Sequence, residues 1–219
     1  MKDLCALVEK WILWVYDNLN RDAKVLVNLR DLTDIMHTVP VPAFQMVKFL
    51  AKMPEDVRPF GLLFEEAKGT CMPEECGSWA KYIRKIMDAH NWDGKLLVHI
   101  HEKYGYADTS QLESLMYGAD GTWGSICIDG AAMGNASTCV TMMNLIRLGN
   151  KKILKKYNCS YLRKAATNVT KITTGREPHL KQPVYGGRAL DFVLGLAKED
   201  FDLSGKKLPR GLALQPLMR

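Results

Sequence analysis

Two histidines stand two positions apart in the segment Val98-His99-Ile100-His101. In an extended strand, alternate side chains point to the same face, so His99 and His101 share a face while Ile100 packs on the other. Neutral imidazoles held in this way suit zinc, manganese or a similar divalent ion. The spacing alone is also compatible with two unrelated histidines at the end of a strand. A metal site is therefore one of two interpretations of this segment.

Polar residues follow each of the short apolar runs that the sequence contains. They are Asn28, Arg30 and Asp31, then Glu65 and Glu66, then His99, His101 and Glu102, and finally Asp129 and Asn135. Ligands of α/β proteins gather at the carboxyl ends of parallel strands. The pattern therefore predicts one site to which several successive strands contribute.

The apolar runs alternate with segments of helical periodicity, which predicts strands and helices in alternation. The predicted strands are 24–29, 60–64, 95–100 and 124–128, and the predicted helices are 1–20, 43–53, 73–89, 110–116 and 136–148. Short, unbroken apolar strands with helical crossovers are typical of a buried parallel sheet. A doubly wound open sheet and a (β/α)8 barrel share this order. Contributions from several successive strands to one site favour the barrel.

Length and composition limit what the chain can be. It has 219 residues, of which 47% are hydrophobic and 25% charged, as in a globular protein. A complete (β/α)8 barrel takes about 250 residues, so the chain lies near or below the lower bound for that fold. Long periodic runs become fewer after about residue 175. We therefore expect a partial barrel over residues 1–175 and a post-barrel extension over 176–219. The last stretch, 204–219, is expected to be loosely held.

The cysteines and the apolar segments indicate the cellular compartment in which the protein is expected. Six cysteines are scattered without a regular spacing, which predicts reduced thiols. Charged residues interrupt the apolar amino-terminal stripe, so neither a signal peptide nor a membrane span is predicted. We therefore expect a cytoplasmic protein that does not bind a membrane.

A run of basic residues lies between positions 151 and 171, and the formal net charge of the chain is +6. A solvated helical face explains such a run best, because a single basic run is weak evidence for a nucleic-acid interface. We therefore predict no nucleic-acid partner. An anionic ligand such as a carboxylate or an acyl-CoA is another use for a basic surface.

Several motifs together resemble one family of enzymes. They are Glu65-Glu66-Ala67-Lys68-Gly69-Thr70, Met72-Pro73-Glu74-Glu75, the run from Leu97 through His99 and His101 to Ala107, Gly118-Ala119-Asp120, and the run from Ile128 to Asn135 and Ala136. In these motifs the chain resembles the HMG-CoA lyase-like family, also called the DRE-TIM metallolyases, which share a pyruvate carboxyltransferase domain. The segment from Leu180 to Leu190 resembles the isopropylmalate, homocitrate and citramalate synthase branch.

The resemblance implies a role for each matching residue. His99 and His101 would be metal ligands at the sixth barrel strand, and Asn135, after the seventh, would complete or support the site. Glu102 would be catalytic, and Glu66 and Arg30 would bind substrate. A divalent metal (Mn, Mg or Zn) would polarise a 2-oxo or 3-hydroxy acid and stabilise an enolate while a carbon-carbon bond forms or breaks. The implied partners are a 2-oxo acid and an acyl-CoA.

The chain also departs from the family pattern. The Asp-Arg-Glu run of the first strand has no counterpart, Ala67 replaces a threonine, and the turn with Asp129 and Ala131 has no catalytic cysteine. The motifs match strands four to eight only, and a barrel cannot close on five strands. Two alternatives therefore stand: a lyase or acyltransferase completed by a homo-oligomer or a partner, and a truncated, non-catalytic fragment or pseudoenzyme.

Overall fold

The computed structural model describes residues 1–131 and 133–189. These residues form two compact units, which comprise residues 1–124 with 133–136, and residues 125–131 with the described residues from 137 onward. The predicted boundary at residue 175 stays a prediction. The segment 204–219 and most of the expected extension lie outside the described residues.

The first unit is built from helices that alternate with parallel strands. In chain order its elements are α1 (Lys2–Asn18), β1 (Leu26–Leu29), α2 (Leu32–Thr38), α3 (Val41–Ala51), β2 (Gly61–Glu66), α4 (Pro73–Ala89), β3 (Lys95–Ile100), α5 (Ala107–Met116) and β4 (Gly121–Thr122). The strands form one parallel sheet in the order β1-β2-β3-β4. The predicted α/β class is therefore confirmed, with neighbouring strands connected by helices.

The two faces of the sheet carry different kinds of side chain. Leu62 and Phe64 of β2, with Leu96, Val98 and Ile100 of β3, belong to a buried apolar core that residues of α1, α3 and α4 complete. Because side chains alternate along a strand, the intervening residues lie on the other face. That face carries the polar groups of the candidate site.

Three elements differ from the sequence-based expectations. Helix α2 was not predicted, because a seven-residue helix is too short for a clear periodic pattern, although its Leu32 is buried. The strand predicted at 124–128 was wrong: β4 is Gly121–Thr122, and Ser125 instead bridges to Ser137. No strand follows β4 within the described residues, so a counterpart of the eighth barrel strand is not among them.

Within its described residues, the second unit contains three α-helices around a small core. They are α6 (Thr138–Arg147), α7 (Lys152–Lys156) and α8 (Leu162–Thr174), with a short 3-10 helix, Cys159–Tyr161, before α8. The Ser137 hydroxyl caps α6 by accepting the Val140 N–H at 3.3 Å. Gly175, with φ 70°, ends α8 in the left-handed conformation that glycine adopts readily. The core of this unit comprises Cys127, Cys139, Val140, Ala166 and Tyr185.

The basic run of the sequence lies on α7 and α8. Lys152, Lys155, Lys156, Lys164 and Lys171 are all exposed, as expected for a solvated helical face. None of the helices in the described part of the chain has the length and apolar character needed to cross a membrane.

A buried phenol makes the second unit sensitive to high pH. Burial raises the pKa of Tyr185 from 10.0 to about 12, while its hydroxyl oxygen accepts the Ile128 N–H at 3.0 Å. The unfolded chain then loses this proton first, so stability is full below pH 10 and falls between pH 10 and 12. We expect a loss of about 2 kcal/mol over that range.

Urea unfolding followed by circular dichroism at several pH values measures this loss. Tyr185→Phe should be less stable at neutral pH, because the Ile128 amide loses its acceptor, and its stability should fall less above pH 10. Equal slopes in the two proteins above pH 10 would show that Tyr185 is not the group that titrates.

Candidate metal centre

Three side chains meet on the polar face of the sheet where β2 and β3 end. Glu65 is level with His99 in the parallel register of these strands, and His101 follows two residues later on the same face. The nearest ligand atoms of Glu65, His99 and His101 all lie within 4.8 Å of one another. His101 is buried, and the other two are half-buried. The sheet alone therefore assembles two imidazoles and a carboxylate.

Asn135 reaches the same point because the chain returns along the end of β3. Asn135 forms an antiparallel bridge with His101, in which the Ala136 N–H donates to the Ile100 carbonyl at 3.0 Å. The Asn135 side-chain amide lies 3.4 Å from His99 Nε2 and 3.4 Å from His101 Nδ1. The structure thus brings together the three residues predicted as metal ligands, and it adds Glu65.

The ring of His99 is oriented for coordination. Its Nδ1 lies 2.7 Å from the carbonyl oxygen of Trp123, so Nδ1–H donates to that oxygen and the lone pair of Nε2 faces the cluster. Metal-binding histidines typically donate their other N–H to such an acceptor, which fixes the tautomer. The Trp123 carbonyl therefore prepares His99 to bind through Nε2.

The carboxylate of Glu65 is held in a similar way. Its Oε1 lies 3.4 Å from His101 Nε2, and its Oε2 accepts a hydrogen bond from Asn28 Nδ2 at 2.8 Å. Asn28 comes from β1, so three neighbouring strands contribute to the cluster. One carboxylate oxygen is thus anchored, and the other lies beside the imidazoles.

The donor set fits a divalent metal ion. Two imidazole nitrogens with a carboxylate suit zinc or manganese better than magnesium, which prefers oxygen ligands. The amide of Asn135 can present its oxygen after a rotation by half a turn, because the two orientations differ only in hydrogen bonding. The assignment of these residues as metal ligands stays a prediction.

Glu66, predicted to bind substrate, organises the loop after β2. It is 1% exposed. Its Oε2 accepts the N–H of Gly69 at 2.6 Å, and its Oε1 accepts the N–H groups of Lys68 and Thr70 and the hydroxyl of Thr33. These contacts fold residues 67–70 around the carboxylate. Its role in substrate binding stays a prediction.

Glu102 and Arg30 lie in the loops after β3 and β1. Glu102 is buried, and its carboxylate accepts the N–H of Gly105 at 2.5 Å and that of Ala107 at 3.3 Å. These two bonds shape the turn before α5. Arg30 is exposed in the turn that follows β1. The catalytic role of Glu102 and the substrate-binding role of Arg30 stay predictions.

The alternation of side chains along β2 is the feature of the sequence that indicates Glu65. Alternation along β2 places Glu65 and Glu66 on opposite faces, so only one of them can share the face of His99. Aligning the carboxyl ends of the predicted strands, at residues 29, 64 and 100, places Glu65 level with His101, on the face that His99 and Asn28 share. The family motif Glu65-Glu66-Ala67 indicates Glu66 instead, because a string of residues carries no information on which face each side chain occupies.

Comparisons with known proteins add information on the fold. No protein-family model and no curated protein matches the chain in sequence. Among solved structures, the chain is similar to hydroxymethylglutaryl-CoA lyase from Pseudomonas aeruginosa, with a TM-score of 0.56 and 13% sequence identity. The similarity covers 81% of this chain but only 57% of that chain. It shows that the two proteins share a fold at this level, and the fold here is thus part of a (β/α)8-type architecture.

Proposed function

We propose that this chain carries the metal site of an enzyme that forms or breaks a carbon-carbon bond in 2-oxo or 3-hydroxy acids or their acyl-CoA partners. The observation that carries the proposal is the convergence of Glu65, His99, His101 and Asn135 at the carboxyl end of parallel strands. Chemistry takes place at this end of the sheet in (β/α)8 enzymes. The shared fold with a lyase supports the same conclusion.

The side chains of the cluster have distinct proposed roles. His99 and His101 bind the metal through ring nitrogens, while Glu65 and Asn135 supply or support oxygen ligands. A bound divalent ion would polarise a substrate carbonyl and stabilise the negative charge that develops on its oxygen. The carbonyl of Trp123 and the amide of Asn28 keep the ligands in place.

The residues around the cluster would act on the substrate. Arg30 is proposed to pair with a substrate carboxylate, since its guanidinium is exposed just after β1 and this group binds carboxylates in a bidentate manner. Glu66 would act on the substrate through the loop that it folds. Glu102 is proposed as the proton carrier, held in position by the amides of Gly105 and Ala107.

Three finer assignments complete the proposal. The synthase branch is supported only by the segment from Leu180 to Leu190, whose last residue lies outside the described part. A homo-oligomer or a partner that completes the barrel is supported by β1, which in the described residues pairs on one side only. A cytoplasmic location is supported by the cysteines, all six of which are free thiols.

A second candidate function is a metal-binding subunit without catalytic activity of its own. It is favoured by the carboxylates of Glu66 and Glu102, which are both buried and both bonded to backbone amides of their own loops. Groups held in this way stabilise loops and need not transfer protons. Turnover separates this candidate from the enzyme.

The experiment uses the full chain, stripped of metal and reloaded with Mn2+ or Zn2+. Purified protein is incubated with 2-oxo acids and acyl-CoA thioesters, and separately with 3-hydroxy acyl-CoA thioesters, and free CoA and new acids are quantified by mass spectrometry. We expect turnover that a chelator abolishes and added metal restores. Metal binding without turnover would favour the second candidate, and absence of metal binding would contradict both.

A further inference from the structure

A second group of metal-binding side chains lies where α2, the loop that follows β2 and the start of α4 meet. His37 near the end of α2, Cys71 in the loop and Glu75 in the first turn of α4 each offer one ligand atom, and these atoms lie within 4.8 Å of one another. All three residues belong to the first unit. None of them belongs to the cluster of Glu65, His99 and His101.

The carboxylate of Glu75 has one oxygen anchored and the other facing His37. Its Oε2 accepts the N–H of Met72 at 2.8 Å, where α4 begins. Its Oε1 lies 2.8 Å from His37 Nε2. The imidazole also rests edge-on against the indole of Trp79, with ring centroids 5.9 Å apart. These contacts orient the carboxylate of Glu75 and the imidazole of His37 so that Glu75 Oε1 and His37 Nε2 face each other.

Cys71 supplies a sulfur at the buried side of this pair. Its thiol donates to the Thr33 hydroxyl across 3.8 Å, and Thr33 in turn donates to Glu66. Cys71 is 2% exposed, whereas His37 is exposed and Glu75 is half-buried, so the sulfur lies on the buried side of the group. The buried thiol of Cys76 forms a side-chain hydrogen bond with Cys71 and is placed to act as an outer-shell donor to it.

We propose that His37, Cys71 and Glu75 form a second metal site, which takes Zn2+ with one nitrogen, one sulfur and one oxygen ligand. Zinc accepts this mixed set in tetrahedral geometry, with ligand bonds of about 2.0 to 2.3 Å. The side chains of His37 and Glu75 are 49% and 38% exposed, so the fourth position faces solvent and holds water. Binding releases the thiol proton of Cys71 to solvent.

The sulfur distinguishes this site from a simple ion pair. An exposed contact between a histidine and a glutamate contributes little to stability and involves no thiol. It also distinguishes the site from the cluster at His99, which has no sulfur ligand. A spectroscopic signal from sulfur-metal bonding therefore reports the second site alone.

The experiment uses Co2+ as a probe for Zn2+ in the full chain. Reduced, metal-free protein is titrated with Co2+, and near-ultraviolet absorption is followed for the charge-transfer band of a cobalt thiolate. Because the cluster at His99 also takes up divalent metal, we expect this band to saturate within about two equivalents of Co2+ and to disappear when Zn2+ is added, since zinc binds such sites more tightly. Absence of the band at saturating Co2+ would overturn the proposal.

Variants assign the band to individual residues. Cys71→Ser should abolish it. Loss of an outer-shell partner typically weakens metal binding by about 10- to 100-fold. Loss of a ligand costs more, so His37→Ala and Glu75→Gln should each weaken Co2+ binding by about 100-fold or more. Cys5→Ser is the matched control, since Cys5 lies on α1, and it should leave the band unchanged. His99→Ala should also keep the band, which separates this proposal from the proposed function.

Circular dichroism and thermal melts show whether each variant folds. His37 is exposed enough that His37→Ala should remain folded, so this variant tests the site even if Cys71→Ser does not fold. A band that persists in Cys71→Ser, or that is lost in Cys76→Ser but not in Cys71→Ser, would overturn the assignment. So would unchanged Co2+ affinity in folded His37→Ala.

Discussion

Replacing His99 with alanine is expected to weaken divalent-metal binding at the first cluster by about 100-fold or more. Outer-shell partners of metal ligands are typically worth 10- to 100-fold in affinity, and a ligand itself is worth more. His99 contributes Nε2, which the Trp123 carbonyl orients through Nδ1. Its loss leaves one imidazole beside Glu65. Isothermal titration with Mn2+ of the metal-free full chain measures the change.

A matched control is available in His90, the C-cap residue of α4. It precedes the amino end of β3, whereas His99 and His101 lie at the carboxyl end of that strand. His90→Ala should bind Mn2+ as the unmodified protein does. Because the thiol-containing group at Cys71 can also take up metal, the titrations are made in the Cys71→Ser background. Equal Mn2+ affinity in the His99→Ala and His90→Ala proteins would remove the basis of the proposed function.

Replacing Glu66 with alanine is expected to destabilise the first unit by about 3 kcal/mol or more. The change removes the acceptor of the Gly69 N–H at 2.6 Å and of two further amides, together with the partner of the Thr33 hydroxyl. Each buried donor left without an acceptor costs about 1 to 3 kcal/mol. In a protein of this size, 3 kcal/mol corresponds to a fall in Tm of roughly 6 to 12 °C.

Tryptophan fluorescence is a suitable probe for this loss, because all five tryptophans lie within residues 1–124. Glu66→Gln should be less damaging, since it keeps an acceptor oxygen and the side-chain volume. Glu65→Gln is the positional control: Glu65 is half-buried on the other face, so this change should lower metal affinity more than stability. A Glu66→Ala protein as stable as the unmodified one would show that the loop folds without its carboxylate.

The sequence by itself determined the class of fold and the shared face of two histidines at the end of β3. Apolar runs alternating with helical periodicity predicted parallel strands with helical crossovers, and α4 begins and ends where the sequence predicted. The His-X-His spacing placed two imidazoles on one face, because the period of a strand is two residues. These features depend on the local spacing of residues along the chain, which can be seen in the sequence itself.

Tertiary structure alone decided which side chains surround those imidazoles. Glu65 lies beside His99 because the register of β2 against β3 pairs the two residues. Asn135 reaches His101 through a bridge formed by a loop, and no periodic pattern in the sequence specifies the path of that loop. The second cluster likewise joins His37, Cys71 and Glu75 from two helices and the loop before α4. Register and loop path arise from packing between segments distant along the chain, so the sequence indicated the edge of the sheet and the fold selected the residues that meet there.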